Sequence, residues 1–273
     1  MAKSDTNLVR PFDWRARASY DYTVHIPDRG WAWEGLRRNR EFQEDWHEAQ
    51  SAFESKHPIG GLRVVRANEG ASALDRWGVL YSDPPNIDAR NAAIVWRSPR
   101  IQVLNAVALP EGMPRELGSI RLQDVCCSTL VLVTPDDVQH VLFHGQGGGL
   151  QLKVTGASVL DSVHLLIDAV PDAGNVKSYL QAQALLGELR AHGQQAFSAN
   201  VQKLRAKRFS LVLQALDGFL AGATLREIGV ALFGAERIAT DWDDDHRHLK
   251  DRVRRAVARG KWLMDGGYTK YLK

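Results

Sequence analysis

The residues with the plainest chemical purpose are cations gathered near the end of the chain: Arg247, Lys250, Arg252, Arg254, Arg255, Arg259 and Lys261. Guanidinium and ammonium groups at this density suit a polyanion. They neutralise phosphates and release condensed counterions, and an arginine fork also matches the O6/N7 edge of guanine in a major groove. A second cluster, Lys203, Arg205, Lys207 and Arg208, lies upstream and suits phosphates beside such a groove. The implied partner is double-stranded DNA. The plainer alternative is a solvated helix face, and the distribution of charge favours the first. Residues 171–273 hold 17 Lys and Arg against 11 Asp and Glu, a balance of +6, whereas residues 1–170 hold 18 against 21, a balance of -3.

These side chains need helices to position them. Leu249, Val253, Ala256, Val257, Leu263 and Met264 recur at helical spacing, with Gly260 among them. The pattern predicts a closing helix that begins just after Asp243, Asp244 and Asp245, which suit a positive helix end, and runs to about Met264. Its apolar stripe docks and its two flanks are basic. Ahead of it Phe209, Val212, Leu213, Leu216, Phe219 and Leu220 form an amphipathic helix that Gly222 ends. Thr224-Leu225-Arg226-Glu227 then reads as a capping box opening a short helix buried through Ile228, Leu232 and Phe233 and stopped by Gly234. Arg226 on that helix joins the DNA-contacting set. The arrangement suggests a helix-turn-helix over about 209–264. About ten residues separate Gly234 from the basic helix, against three or four in the usual motif, so the expectation is a variant with a looped connection.

Thr224-Leu225-Arg226-Glu227-Ile228, Leu232-Phe233-Gly234, Trp242, Arg252-Val253-Arg254-Arg255 and Gly266-Gly267-Tyr268 together resemble the C-terminal domain of the RovC/FseA-like proteobacterial transcriptional regulators. The segment Gly30-Trp31-Ala32-Trp33-Glu34-Gly35-Leu36-Arg37-Arg38-Asn39, then Glu41-Phe42 and Asp45-Trp46, resembles the N-terminal domain of the fused activators of that group. The resemblance implies a variant helix-turn-helix, self-association, and activation of type VI secretion or conjugative-element transfer genes. RNA polymerase and a small antiactivator are the further partners it suggests. Two departures stand out: the triple Asp at 243–245, where a phosphate would meet the helix start, and Arg40 in place of the family's proline.

The remaining chain is read as support. Residues 10–60 are rich in Trp and Tyr and predict a helical interaction domain, with Trp31, Trp33, Leu36, Trp46 and Phe53 as a small aromatic core and Arg37 and Arg38 at its rim. His57, Pro58, Gly60 and Gly61 read as a loop or linker. Residues 62–170 break into short apolar runs near 62–66, 77–81, 93–96, 101–109, 130–134, 138–144, 150–154 and 164–170, which predict an antiparallel β-rich middle domain. A helix follows near 175–192, with Val176, Leu180, Ala184, Leu185 and Leu189 on one side. Residues 171–273 form the helical DNA-binding domain, and the fold class is α+β.

Other chemistries find little footing. His144-Gly145-Gln146-Gly147-Gly148-Gly149 lacks the Lys-Ser/Thr ending of a phosphate loop and suits a hairpin turn. Asp241, Asp243, Asp244, Asp245, His246 and His248 mix ligand types at spacings that do not share one helix face. No catalytic residue, metal or cofactor is expected, and no stretch approaches membrane length. Adjacent Cys126 and Cys127 fit a reducing cytoplasm better than a disulfide framework. The reading is a sequence-specific transcriptional regulator that self-associates. Its rival is a protein-binding antiactivator; a metal-dependent nucleic-acid enzyme would need clustered carboxylates.

Overall fold

The structure, a computed structural model, describes residues 13–59, 62–97, 101, 103–110, 119–125, 127–145, 148–167, 176–192, 203–242 and 248–272. They fall into two compact units, neither of which is one continuous stretch of chain. A sheet unit holds the described parts of 26–201 and 263–273, and a helical unit those of 1–25 and 202–262. The fold is α+β.

The sheet unit opens with α1 (Asp28–Leu36) and α2 (Arg40–Ala49). Asn39 caps α2, its Oδ1 accepting from the Phe42 N–H at 3.1 Å, so Arg40 simply takes the first helical position. Trp31, Trp33, Leu36, Phe42 and Trp46 are buried here, with Trp33 and Phe42 meeting edge to face at 5.7 Å. Phe53 is elsewhere: it packs on Tyr81 at 5.2 Å. Arg37 and Arg38 are not at a rim. Both close on the fully buried Glu34, at 2.8 and 2.6 Å, because a carboxylate taken out of water requires cations beside it.

Eight strands of the unit form one sheet: β1 (Phe53–Ile59), β2 (Leu62–Ala67), β5 (Leu104–Pro110), β6 (Ser119–Ile120), β7 (Ser128–Val133), β8 (Gln139–Gly145), β9 (Gly148–Gly156) and β10 (Val163–Ile167). Their order is β1-β2-β7-β8-β9-β5-β10-β6. β3 (Val79–Ser82) and β4 (Ile94–Trp96) make a separate hairpin-like pair. The expected antiparallel sheet needs correction, since β2 pairs with β7 and β5 with β9 in parallel. Those two joints connect strands far apart in sequence, where no short turn enforces reversal. His57 and Pro58 are also not a linker but part of β1, at the sheet edge, where the register with β2 shifts between Lys56 and Ile59. An edge bulge is where a strand tolerates proline. Gly60 and Gly61 lie outside the described residues.

β7 reads Ser-Thr-Leu-Val-Leu-Val and is buried on both faces. Val131 and Val133 point into a core with Phe143, Leu152 and Val154, while Leu130 and Leu132 meet Val95 and Leu142 in a core shared with β3 and β4. The first core is closed by α3 (Val176–His192) through Leu186 and Leu189. Val176 and Leu180 are exposed, contrary to the expected apolar side, whereas Leu186 and Leu189 are buried in this core. β8 ends at Gly145 opposite Gly148, as a hairpin requires. The tail returns to this unit: Tyr268 donates its hydroxyl to the Trp77 carbonyl at 2.8 Å, and Tyr271 meets Trp31 edge-on at 5.7 Å.

The helical unit comprises α4 (Lys203–Leu220), α5 (Leu225–Phe233), α6 (Ala235–Asp241) and α7 (His248–Met264), whose last two residues belong to the sheet unit. A 3-10 segment, Arg17–Val24, packs against α4. Among the described residues no helix is long and apolar enough to cross a membrane.

Candidate nucleic-acid interface

α7 is held by its apolar stripe. Leu249, Val253 and Val257 are buried in a core with Ala215 of α4, Ile228 and Leu232 of α5, and Ile238 and Trp242 at α6. Gly260 marks the closest approach to α4: a Cβ there would stand 2.7 Å from Leu216 Cβ, so no larger residue fits without displacement. Gly229 does the same for α5 and α6, where a Cβ would meet Trp242 at 2.8 Å. Two residues from the start of the described chain complete this unit. Trp14 is buried in the same core, and Gln214 donates to its carbonyl at 3.0 Å. Tyr20 donates to Asp217 at 2.7 Å. Neither role could be read from the aromatic pattern around them, which signals burial without naming the partner.

The local punctuation is as expected. The Thr224 N–H donates to Glu227 Oε2 at 2.8 Å and the Glu227 N–H to Thr224 Oγ1 at 3.2 Å, completing the capping box. The Thr224 N–H, and then the Thr224 hydroxyl donating to Oε2 at 2.8 Å, hold the Glu227 carboxyl below the usual range. Gly222 and Gly234 adopt φ of 76° and 92°, which only glycine takes up readily. The looped connection is corrected: after Gly234 the chain enters α6, anchored by Ile238, before it reaches α7. Seven residues with one buried side chain leave too little periodicity to announce a helix.

The outer surface of α7 carries the predicted cations. Arg252, Arg254, Arg255, Arg259 and Lys261 are exposed, and Lys250 is half-buried. Three of them rest on aromatic rings: Arg252 over Phe233 at 4.6 Å, Arg259 over Trp262 at 3.8 Å and Lys261 over Phe219 at 4.9 Å. A ring face attracts the cation and limits its wandering. Asp251 interrupts the positive surface. It pairs with Arg254 at 3.6 Å, and its carbonyl accepts from Arg255 at 3.3 Å. Sequence reasoning passed over Asp251, although its i,i+3 spacing to Arg254 was the available signal. It also passed over Arg237, exposed on α6 with Asp241 at 3.5 Å. Arg226 on α5 and Lys207 and Arg208 on α4 are exposed as well. Lys203 and Arg205 lie on the first turn of α4, while Arg247, with Asp243, Asp244, Asp245 and His246, is outside the described residues.

Residues 172–273 match the RovC family model described as "T6SS, Transcription factor, DNA binding domain", and residues 13–82 match the "Proteobacterial transcriptional regulator-like domain". Together the two matches support a RovC-like regulator family. A transcription-factor DNA-binding domain beside a regulator-like domain supports a DNA-binding transcriptional regulator. No curated protein matches it. The RovC-type segment takes in more than the helical unit, since it begins before α3 and ends with the tail that packs on α1. The regulator-like segment likewise starts at residue 13, inside the helical unit.

Proposed function

We propose that this RovC-like regulator is an activator of type VI secretion or mobile-element transfer genes, working as a self-associating protein in the cytoplasm without enzymatic activity. The observation that carries the proposal is α7 itself: one face is buried in the helical core while the opposite surface presents Arg252, Arg254, Arg255, Arg259 and Lys261. A helix so mounted can enter a major groove without disturbing the fold beneath it. In this reading α5 braces the variant helix-turn-helix, α6 occupies the turn and α7 reads the groove. Arg247, Lys250, Arg254, Arg255 and Arg259 meet guanine edges or phosphates, Lys203, Arg205, Lys207 and Arg208 meet phosphates, and Arg226 belongs to the same DNA-contacting set. One short helix reads few base pairs, so two copies on repeated half-sites multiply affinity. RNA polymerase and a small antiactivator are the protein partners that activation calls for.

The test is fluorescence-anisotropy binding of the full chain to duplexes from promoters beside its gene, against scrambled duplexes, across a salt series. Selective binding with a steep salt dependence, weakened in Arg254→Ala/Arg255→Ala, is expected. Each lost phosphate contact flattens the salt slope by about one, and each lost base contact costs about 1–3 kcal/mol at its own position. Equal weak binding to every duplex would instead support a protein-binding antiactivator.

A further inference from the structure

The sheet unit holds a recess that DNA reading leaves unused. It lies between the start of α1, the loop 83–92 and the paired ends of β8 and β9, with a volume of about 60 Å³. A single water needs roughly 10–15 Å³ of such space, so the recess admits a small polyatomic group. Arg29, Arg90, His144 and Gln151 are its polar members, and Ile94, Trp96 and Leu142 its apolar wall. Among the described residues no carboxylate lines it.

The cations are placed by a rigid surround. Arg29 sits on the first turn of α1 and donates to the Gly149 carbonyl at 3.5 Å. Burial lowers it to about 10, which leaves it charged at neutral pH. Arg90 projects from a loop that α1 and its C-cap residue Arg37 hold at three points. Glu34 accepts from the Ala89 N–H at 2.8 Å, Trp33 donates to the Ile87 carbonyl at 2.9 Å, and Arg37 donates to the Pro85 carbonyl at 3.1 Å. Asp88, beside Arg90 at 2.6 Å, aims that guanidinium without itself lining the recess. Gln151 is locked to the Trp96 backbone through both ends of its amide, at 2.8 and 3.1 Å. Burial and the Arg63 charge lower His144, partly opposed by Asp83, so it stands as a neutral imidazole with one N–H to donate.

We propose that this recess is a binding site for a small free oxyanion, a carboxylate or phosphate group, clasped between Arg29 and Arg90 with Trp96 and Leu142 flanking the rest of the molecule. A guanidinium suits planar or tetrahedral oxyanions through charge-assisted hydrogen bonds, and Arg90, whose Nε and Nη2 donate to Asp88 at 3.0 and 2.6 Å, contributes through its remaining N–H groups. A phosphate of a nucleic-acid strand has the same chemistry and is the competing source.

The test uses the full chain with its tryptophan indoles labelled with nitrogen-15, and Trp96→Phe to assign the Trp96 signal. Inorganic phosphate and malonate are titrated separately at constant ionic strength, with chloride as control. A saturable shift at Trp96 with either probe is expected, with affinity falling roughly tenfold or more in Arg90→Gln. Arg90 is half-exposed, so this variant keeps its fold where Arg29→Gln is more disruptive. Chloride acting equally, shifts that never saturate, or undiminished binding in Arg90→Gln would overturn the proposal. So would a Trp96 shift produced by a DNA duplex and by neither small probe. The small-anion arms contain no DNA, so their failure is separate from failure of the promoter reading.

Discussion

The two units treat positive charge in opposite ways. In the sheet unit several arginines are matched to carboxylates at short range: Arg38 to Glu34 at 2.6 Å, Arg63 to Asp83 at 2.8 Å and Arg76 to Asp45 at 2.6 Å. In the helical unit the ion pairs are longer and exposed, Arg254 to Asp251 at 3.6 Å and Arg237 to Asp241 at 3.5 Å, and three cations of α7 rest on rings instead. Exposed pairs of this kind contribute about 0–1 kcal/mol. Charge in these pairs of the first unit is committed to structure, whereas the arginines of α7 stand exposed. The same residue type therefore serves opposite ends, and what separates them is the burial and number of the carboxylates nearby.

Removing a buried partner tests the committed side most severely. Glu34→Ala leaves Arg37 and Arg38 buried without their carboxylate and should cost about 3–5 kcal/mol, read from the midpoint of urea unfolding. Acid should expose the same asymmetry. Burial alone would push the Glu34 carboxyl up, yet Arg37, Arg38 and the Ala89 N–H hold it down at about 2. Its stabilising contribution is full above its ordinary value of 4.5 and is lost as pH falls towards 2. His140 reaches about 4 through burial and then the Lys153 charge, so its contribution is full above 6.5 and fades as pH falls towards 4. Both losses belong to the sheet unit, and acid unfolding followed by tryptophan fluorescence should show its signals failing over those windows; loss confined to the helical unit would break the contrast. Thr224→Ala is expected to cost about 0.5–2 kcal/mol by removing the cap on α5, with a lower melting temperature as the readout. The smallest effect on stability belongs to Arg254→Ala/Arg255→Ala, within about 0.5 kcal/mol for exposed positions, even as DNA affinity drops. A large stability loss there would mean that α7's charge is structural after all.

What the sequence discloses follows the range of the interactions. The capping box at Thr224, the glycine stops at 222 and 234 and the buried stripe of Leu249, Val253 and Val257 are local, and the chain spells them out. The positions of β2–β5 and β7–β10 were legible to within a few residues for the same reason, whereas the two-residue β6 was too short to show an alternation. The parallel joints were not legible, because nothing near Val64 announces that it will face Val131. β1 was concealed by Pro58, which reads as a breaker until its edge position is known. α6 was too short to show a period. On α7 the cations were plain, but the ring beneath Arg252 lies on another helix and the neutralising role of Asp251 emerges only with the side chains in place.

Trp14 hydrogen-bonds through its carbonyl to a glutamine 200 residues later, and it completes a core with Val257. On the ribosome that interval lasts roughly 10–40 s at about 5–20 residues per second. Throughout it the indole of Trp14 and the ring of Tyr20 await helices that do not yet exist. A nascent chain halted before α7 lacks Leu249, Val253 and Val257, so the helical core that Trp14 opens is closed only when that helix has been translated.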